Sequence, residues 1–153
     1  MRFFLYIVIA CYFISCRNDK VYFSRGEAIP SHEWNRDYPV EIEFEVSDTV
    51  GLYDFYLDIR HGEQYAYSNL FLFTELTFPN GKQTVDTLEC PMADEKGQWL
   101  GSGGGSIFEA SFKFKDRRKF PISGKYKLEI RHGMREIDLP GIYDAGLRIE
   151  KSL

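Results

Sequence analysis

The segment from His132 to Glu136 brings an imidazole, a thioether, a guanidinium and a carboxylate together within five consecutive residues. The loop His132-Gly133-Met134-Arg135-Glu136 offers a hydrogen-bond donor, a cation and an acid, a set that could bind a ligand or a protein partner. The alternative is a solvated turn in which these charges pair locally. We treat His132, Met134 and Arg135 as candidate contact residues.

A second candidate lies in the glycine-rich segment from Pro91 to about Ile107, which contains Asp94 and Trp99. Trp99 could stack on a sugar ring or anchor a protein partner, because indole supplies a large contact area at small entropic cost. Alternatively, it folds back as a lid on an open end of the domain. The pair Asp94-Glu95 alone does not supply the six or more oxygen ligands that calcium prefers.

The sequence carries no motif of a catalytic nucleophile or of a cofactor-binding loop. It has no Gly-x-Ser-x-Gly elbow, phosphate-binding loop or Cys-x-x-Cys pair, and residues 101–106 depart from the dinucleotide-binding pattern at their last position. His32, His61 and His132 lack metal-ligand spacing and are expected in a tether or at strand ends. We therefore predict no enzyme activity, no metal and no cofactor.

Residues 1–15 have the pattern of a secretory signal peptide. Arg2 precedes an apolar run, Phe3 to Ile14, that is too short to span a bilayer comfortably, and small Ser15 precedes Cys16. A cysteine at this point is typical of a bacterial lipobox, so we expect the mature chain to start at Cys16 with lipid on its thiol. Cys11 is the alternative lipidation site, and an uncleaved hydrophobic anchor is the alternative to cleavage. All three place the protein on a membrane.

Cysteine count and charge narrow the class of protein further. Loss of Cys11 and lipidation of Cys16 leave Cys90, so no internal disulfide can form and Cys90 is expected in the core. The formal net charge of −4 makes nucleic acid a poor partner. The basic stretch from Lys113 to Lys119 is predicted to be a solvated edge that blocks strand pairing, or a contact for anionic lipid headgroups.

The elements that must position these residues are strands. Residues 16–38 lack sustained periodicity and contain Gly26 and Pro30, so they are predicted to be a lipidated N-terminus and tether. In residues 39–153, apolar and polar residues alternate, most clearly from Val40 to Val46, and Asn80-Gly81 predicts a tight hairpin turn. We predict an all-β fold: a single antiparallel β-sandwich of seven or eight strands, immunoglobulin-like or jelly-roll-like.

Several segments, spread in order over nearly the whole mature chain, together resemble one known family. They are Val21-Tyr22, Tyr67 to Phe73, Thr77 to Lys82, Trp99-Leu100-Gly101, His132 to Arg135, Leu139 to Ile142 and Gly146 to Glu150. The chain resembles the gliding motility-associated GldH lipoproteins of the Bacteroidetes. This resemblance implies a cell-envelope lipoprotein needed for gliding, a process tied in this phylum to type IX secretion of surface adhesins. It implies no known enzyme activity.

The expected function is that of a non-catalytic envelope component that contacts other motility or secretion proteins. Its lipid would hold it at a membrane, predicted to be the outer membrane on the periplasmic side. Its candidate partner or ligand surface comprises Asp94, Trp99, His132, Met134 and Arg135. The alternative is a carbohydrate- or peptidoglycan-binding module with Trp99 as its stacking platform.

Overall fold

Strands form in this protein because apolar and polar residues alternate, so that one face of each sheet can bury its side chains. A computed structural model describes residues 20–153, and eleven strands lie in that part of the chain. They are β1 (Val21–Ala28), β2 (Glu33–Asn35), β3 (Val40–Val46), β4 (Tyr53–Gly62), β5 (Asn69–Thr77), β6 (Gln83–Pro91), β7 (Ser102–Gly104), β8 (Ile107–Arg118), β9 (Gly124–His132), β10 (Asp138–Pro140) and β11 (Ile142–Lys151). A 3-10 turn, Pro30–His32, precedes β2.

The predicted signal peptide and both candidate lipidation sites, Cys16 and Cys11, lie outside the described residues. Among residues 20–153, no helix has the length and apolar character that a membrane crossing requires.

The strands form two main sheets. The first has the order β1-β11-β4-β8-β7 and the second the order β3-β9-β5-β6, while β2 and β10 pair separately. The eight longer strands pair first with last, second with seventh, third with sixth and fourth with fifth, as in a hairpin rolled up on itself. This is the arrangement of a jelly roll. The predicted antiparallel β-sandwich is confirmed, and of the two topologies left open by the sequence the jelly roll is the one adopted.

The core lies between the two sheets. β3 buries every second side chain, and Ile42 faces inward with no exposed surface. Leu57 of the first sheet and Leu128 of the second are buried as well. Cys90 is buried and is the free cysteine of the described chain, as expected for a core residue. At one end, the ring of Phe120 packs against five other aromatic rings, those of Tyr22, Phe44, Tyr53, Phe55 and Tyr126.

The predicted tether is wrong for most of its length. β1 pairs with β11 along the edge of the first sheet, with Glu27 opposite Ala145. Trp34 of β2 is 2% exposed and belongs to the core. Periodicity gave no signal for β1, because its side chains are half-buried or exposed, as is usual for an edge strand that packs on one neighbour.

The sandwich has two ends that differ in their loops. We call the first the N-terminal end: it carries Lys20, the turns 47–52, 78–82 and 119–123, and residues 152–153. The second, the distal end, carries the connections 29–39, 63–68, 92–106 and 133–141. β11 has ten residues, so the two ends lie about 30 Å apart at a rise of about 3.3 Å per residue.

Candidate functional site

Every contact residue predicted from the sequence lies at the distal end, although the residues do not form one surface. Met134 and Arg135 line a groove of about 510 Å3, which we call the Met134 groove. Its other lining residues are Tyr67, Phe71, Gly133 and Glu136. The groove joins the connection after β9 to the start of β5.

Backbone contacts hold the floor of this groove. The amide of Gly133 donates a hydrogen bond of 2.7 Å to the carbonyl of Phe71. The amide of Phe71 in turn donates to the Met134 sulfur at 3.4 Å. A Cβ atom on residue 133 would lie 2.7 Å from the ring of Phe73, so glycine is what lets that ring lie against the loop.

The rim of the Met134 groove is polar. The Tyr67 hydroxyl donates a short hydrogen bond to the Glu136 carboxylate. This bond raises the pKa of Tyr67 and lowers the pKa of Glu136, because the phenol stays protonated while the carboxylate is stabilised in its charged form. Arg135 is exposed beside them. The groove thus combines an apolar floor with a cation and an acid at its edge.

Apolar surface continues from the groove along the outer face of the second sheet. Phe73 is 44% exposed and Val85, on the neighbouring strand, is 66% exposed. β5 is a central strand of this sheet, because it lies between β9 and β6. Its outer face is nevertheless open to solvent. An open apolar patch beside a groove is typical of a contact surface.

His132 is not on this surface, and its prediction as an exposed contact residue is wrong. Its side chain is fully buried, with its ring centroid 5.6 Å from that of Trp34. Burial lowers the pKa of His132, and the backbones of Ile137 and Trp34 offset only part of that effect. Neither ring nitrogen makes a hydrogen bond within the described residues. Burial favours the neutral imidazole, which packs as an aromatic core group.

His61 is buried in the same way and lies near the end of β4, at a strand end as expected. Its ring packs against Trp99 at 4.6 Å and against Phe108 at 5.5 Å. Burial lowers the pKa of His61 as well. The contact with His61 fixes the position of Trp99.

Trp99 is half-buried in this aromatic cluster. Besides His61, its ring contacts Tyr65 and Phe108, with centroids 6.3 and 5.9 Å away. These contacts support the alternative in which Trp99 closes the end of the sandwich as a lid. An isolated bridge between Ala93 and Trp99 ties the loop back on itself.

Asp94 organises its own loop. Its Oδ1 atom accepts hydrogen bonds from the amides of Lys96 and Gln98 at 2.9 and 2.8 Å. The carboxylate therefore stabilises a turn. Among residues 20–153, no group of three or more histidine, cysteine, aspartate or glutamate side chains is arranged to hold a metal ion.

Sequence reasoning missed a larger groove of about 740 Å3 at the same end. It is built largely from the segment predicted to be a tether, including Trp34 and the 75% exposed Tyr38. The indole of Trp34 donates to the carbonyl of Tyr38 at 3.3 Å, which fixes this corner. Trp34 and Tyr38 could have indicated a folded segment here, but the sequence around them has no periodicity that predicts a strand or a helix. Tyr67 was not predicted as a contact residue, because it meets the Glu136 carboxylate only in the fold.

Comparison with known proteins places these features in a family. The model of the GldH lipoprotein family matches residues 21–149. The chain is 43% identical over 156 residues to a gliding motility lipoprotein GldH homolog of Christiangramia forsetii, with 97% of this chain and 94% of that protein covered. It is 33% identical over 152 residues to gliding motility lipoprotein GldH of Flavobacterium johnsoniae, with 95% and 93% covered.

Among solved structures, the VP2 subviral particle of infectious bursal disease virus aligns with a TM-score of 0.32 and 12% identity, over 85% of this chain and 33% of that one. The match of the family model and of both relatives over nearly the whole chain identifies the family: this chain belongs to the GldH lipoproteins.

Proposed function

We propose that this protein is a non-catalytic component of the gliding motility machinery, linked to type IX secretion, that binds other envelope proteins at its distal end. Its relatives are named as gliding motility lipoproteins, which supports a motility role and a lipid anchor in the cell envelope. We propose Cys16 as the lipidated residue, with Cys11 as the alternative. We place the anchored protein on the periplasmic side of the outer membrane.

The observation that carries this proposal is the Met134 groove and the open apolar patch beside it. The outer face of the second sheet is otherwise charged: Glu41 and Glu43 of β3 point outward, opposite Glu129 and Lys127 of β9. Phe73 interrupts this charged face. An aromatic side chain left half open among charges supports a partner that covers it, because burial of apolar area is the main favourable term in protein association.

The glycan-binding alternative depends on an open face of Trp99. Its ring packs against three aromatic side chains, and Asp94 uses its carboxylate within its own loop. A sugar platform needs a free ring face and free acceptors. The Met134 groove, with its exposed Arg135, offers the better contact surface, so we favour a protein partner.

The test is a cysteine crosslink from the groove in cells. Arg135→Cys places the introduced thiol at the rim, while Arg25→Cys, on β1 of the other sheet, is the matched control. Arg25 is 56% exposed. The buried Cys90 thiol does not compete. We expect Arg135→Cys, and not Arg25→Cys, to give a discrete crosslinked envelope protein.

A second substitution distinguishes a specific contact with the partner from a crosslink formed by chance proximity. Adding Phe73→Ser to Arg135→Cys removes the apolar patch at a position that is already open to solvent, and it should reduce the crosslink while the protein still reaches the membrane. Identical crosslinks from Arg25→Cys, or none from Arg135→Cys, would contradict the proposed binding surface.

A further inference from the structure

The N-terminal end of the sandwich is where the described chain begins. The amide of Lys151 donates to the carbonyl of Lys20 at 2.8 Å, and Lys151 lies opposite Tyr53 in the sheet. Tyr53 in turn lies opposite Arg118. Lys20 is therefore fixed at the same end as the turn that follows β8.

Chain length limits how far this end can lie from the lipid. Three residues lie between Cys16 and Lys20, so the chain advances by four steps. A fully extended chain spans at most about 3.6 Å per step, or about 14 Å in total. The distal end is a further 30 Å or so away, by the rise of a strand. With lipid on Cys16, the N-terminal end is the part of the domain within reach of the headgroups.

This end carries the most concentrated positive charge of the sequence. Residues 115–119 comprise four cations and one acid, Asp116. Lys115 is paired with Asp86, and Asp116 is paired with Lys113. Arg117 donates to the terminal residue, Leu153.

Arg118 and Lys119 are exposed and have no salt bridge within residues 20–153. At the same end, Lys20 pairs with Glu150 and Lys125 with Glu43, whereas Lys82 and Lys151 are exposed and form no salt bridge among residues 20–153. Arg118 and Lys119 are thus consecutive cations that carry uncompensated charge at this end, and Lys82 and Lys151 add to it.

An apolar tip lies at the same end. Val50 is 78% exposed in a turn that Asp48 holds in place by accepting hydrogen bonds from the amides of Val50 and Gly51, at 2.8 and 3.0 Å. Asp48, the nearest acid, also accepts from the Tyr53 hydroxyl at 2.7 Å, so its charge is turned into the domain. An exposed valine at the same end as these cations suits the boundary between headgroups and acyl chains.

We infer that the N-terminal end docks on the bilayer that holds the lipid anchor, with Arg118 and Lys119 on anionic headgroups and Val50 at the interface. The bilayer is the occupant because the short chain brings this end to it and because the surplus charge matches it. The inference rests on the proposed lipidation of Cys16. It gives the domain a fixed orientation, with the Met134 groove pointing away from the membrane.

The test uses the lipidated, full-length mature protein reconstituted into vesicles. A fluorophore is attached to Val50→Cys or, as the control, to Ile137→Cys, which is 53% exposed at the distal end. The vesicles contain a lipid with a spin-labelled headgroup that quenches fluorescence. In vesicles of phosphatidylglycerol and phosphatidylethanolamine, we expect strong quenching at Val50 and little at Ile137.

Charge reversal then tests the source of the docking. Arg118→Glu with Lys119→Glu should lower the ratio of docked to undocked protein by about fivefold for each cation removed, with a further loss from repulsion. High salt or neutral phosphatidylcholine vesicles should have the same effect, because exposed charges are screened. The matched reversal of Arg36 and Lys96 at the distal end should leave quenching unchanged.

The two proposals fail in different ways. Protein that does not float with vesicles has no lipid anchor, which overturns both the anchored function and the docking. Protein that floats, but shows equal quenching of the two labels or no response to Arg118→Glu with Lys119→Glu, overturns the docking alone. A crosslink from Val50→Cys to an envelope protein, without quenching by lipid in isolated membranes, would assign this end to a protein partner and overturn the docking as well.

Discussion

At the scale of the residue, the two buried histidines are the least expected feature. β4 and β9 carry the similar runs Leu57-Asp-Ile-Arg-His-Gly and Leu128-Glu-Ile-Arg-His-Gly. Each histidine lies where its strand reaches the distal end. The sequence places both histidines at strand ends and gives no sign that their side chains are buried. The fold buries both instead. Each imidazole is neutral, since burial lowers its pKa from the ordinary value of 6.5.

These histidines should make stability depend on pH. Below about pH 6.5, the unfolded chain binds protons at both imidazoles while the folded chain does not. The free energy of unfolding therefore falls as the pH falls, by up to about 1.4 kcal/mol per pH unit for each histidine, until the lowered pKa of the folded state is reached. Denaturant unfolding between pH 7.5 and pH 5 measures this slope. It should correspond to about two more protons, at most, bound by the unfolded chain than by the folded chain.

Substitution of the buried histidines separates their contribution to the pH dependence of stability from the contribution of the carboxylates. His61→Phe and His132→Phe should each flatten the slope, because the substituted position can no longer bind a proton in the unfolded state. A slope that survives loss of both buried histidines would show that other groups cause it.

Gly141 is the glycine with the strictest requirement. Its φ angle is +87°, and a Cβ atom there would lie 2.4 Å from the backbone nitrogen of Tyr65. Gly97 has a similar φ of +77° but open space around it. Gly141→Ala should lower the free energy of unfolding by about 3 kcal/mol or more, and Gly97→Ala by about 1 kcal/mol, as the latter carries backbone strain only. Chemical denaturation of the two variants compares them, and equal losses would mean that the clash at Gly141 is relieved by movement of the loop.

At the scale of the element, β1 is the clearest difference between prediction and fold, because a predicted tether is an edge strand of the first sheet. Its residues pair with β11, and Tyr22 and Phe23 pack on Tyr53 and Phe44 with centroids 4.8 and 5.3 Å apart. The strand has no internal pattern of alternation, so only its neighbours reveal it. The clear strands, such as β3 and the hairpin of β5 and β6, carry their signal locally. In the hairpin, Gly81 has a φ of +80°, as the predicted Asn-Gly turn requires.

Deletion of β1 should therefore destabilise the whole domain. A chain that starts at Pro39 loses β1, β2 and the buried Trp34, and it exposes the edge of β11. We expect it to be unfolded or aggregated, because loss of a buried tryptophan alone costs about 3 to 5 kcal/mol. A chain that starts at Lys20 should unfold cooperatively, as judged by circular dichroism in denaturant. A Pro39 chain with the same unfolding midpoint would restore the tether assignment.

At the scale of the whole molecule, fold class was predictable and the contact surface only partly so. Alternation and turn signals predict a sandwich because they are local properties of the chain. The Met134 groove could not be predicted, because two of its lining residues, Tyr67 and Phe71, come close to Met134 only through the pairing of β5 with β9. Met134 and Arg135 were identified from their neighbours in sequence, whereas the burial of His132 depends on Trp34, almost a hundred residues away. Long-range contacts explain each of the misses.

The length of the jelly roll sets a height. If the short segment before Lys20 ties one end to the bilayer, the ten residues of β11 hold the Met134 groove about 30 Å above that end. A rigid sandwich cannot stretch or fold to meet a binding site much nearer or farther. A partner would therefore bind only if its own binding site lies at this distance from the membrane and has a complementary surface. The domain would act as a spacer of fixed length as well as a binding module.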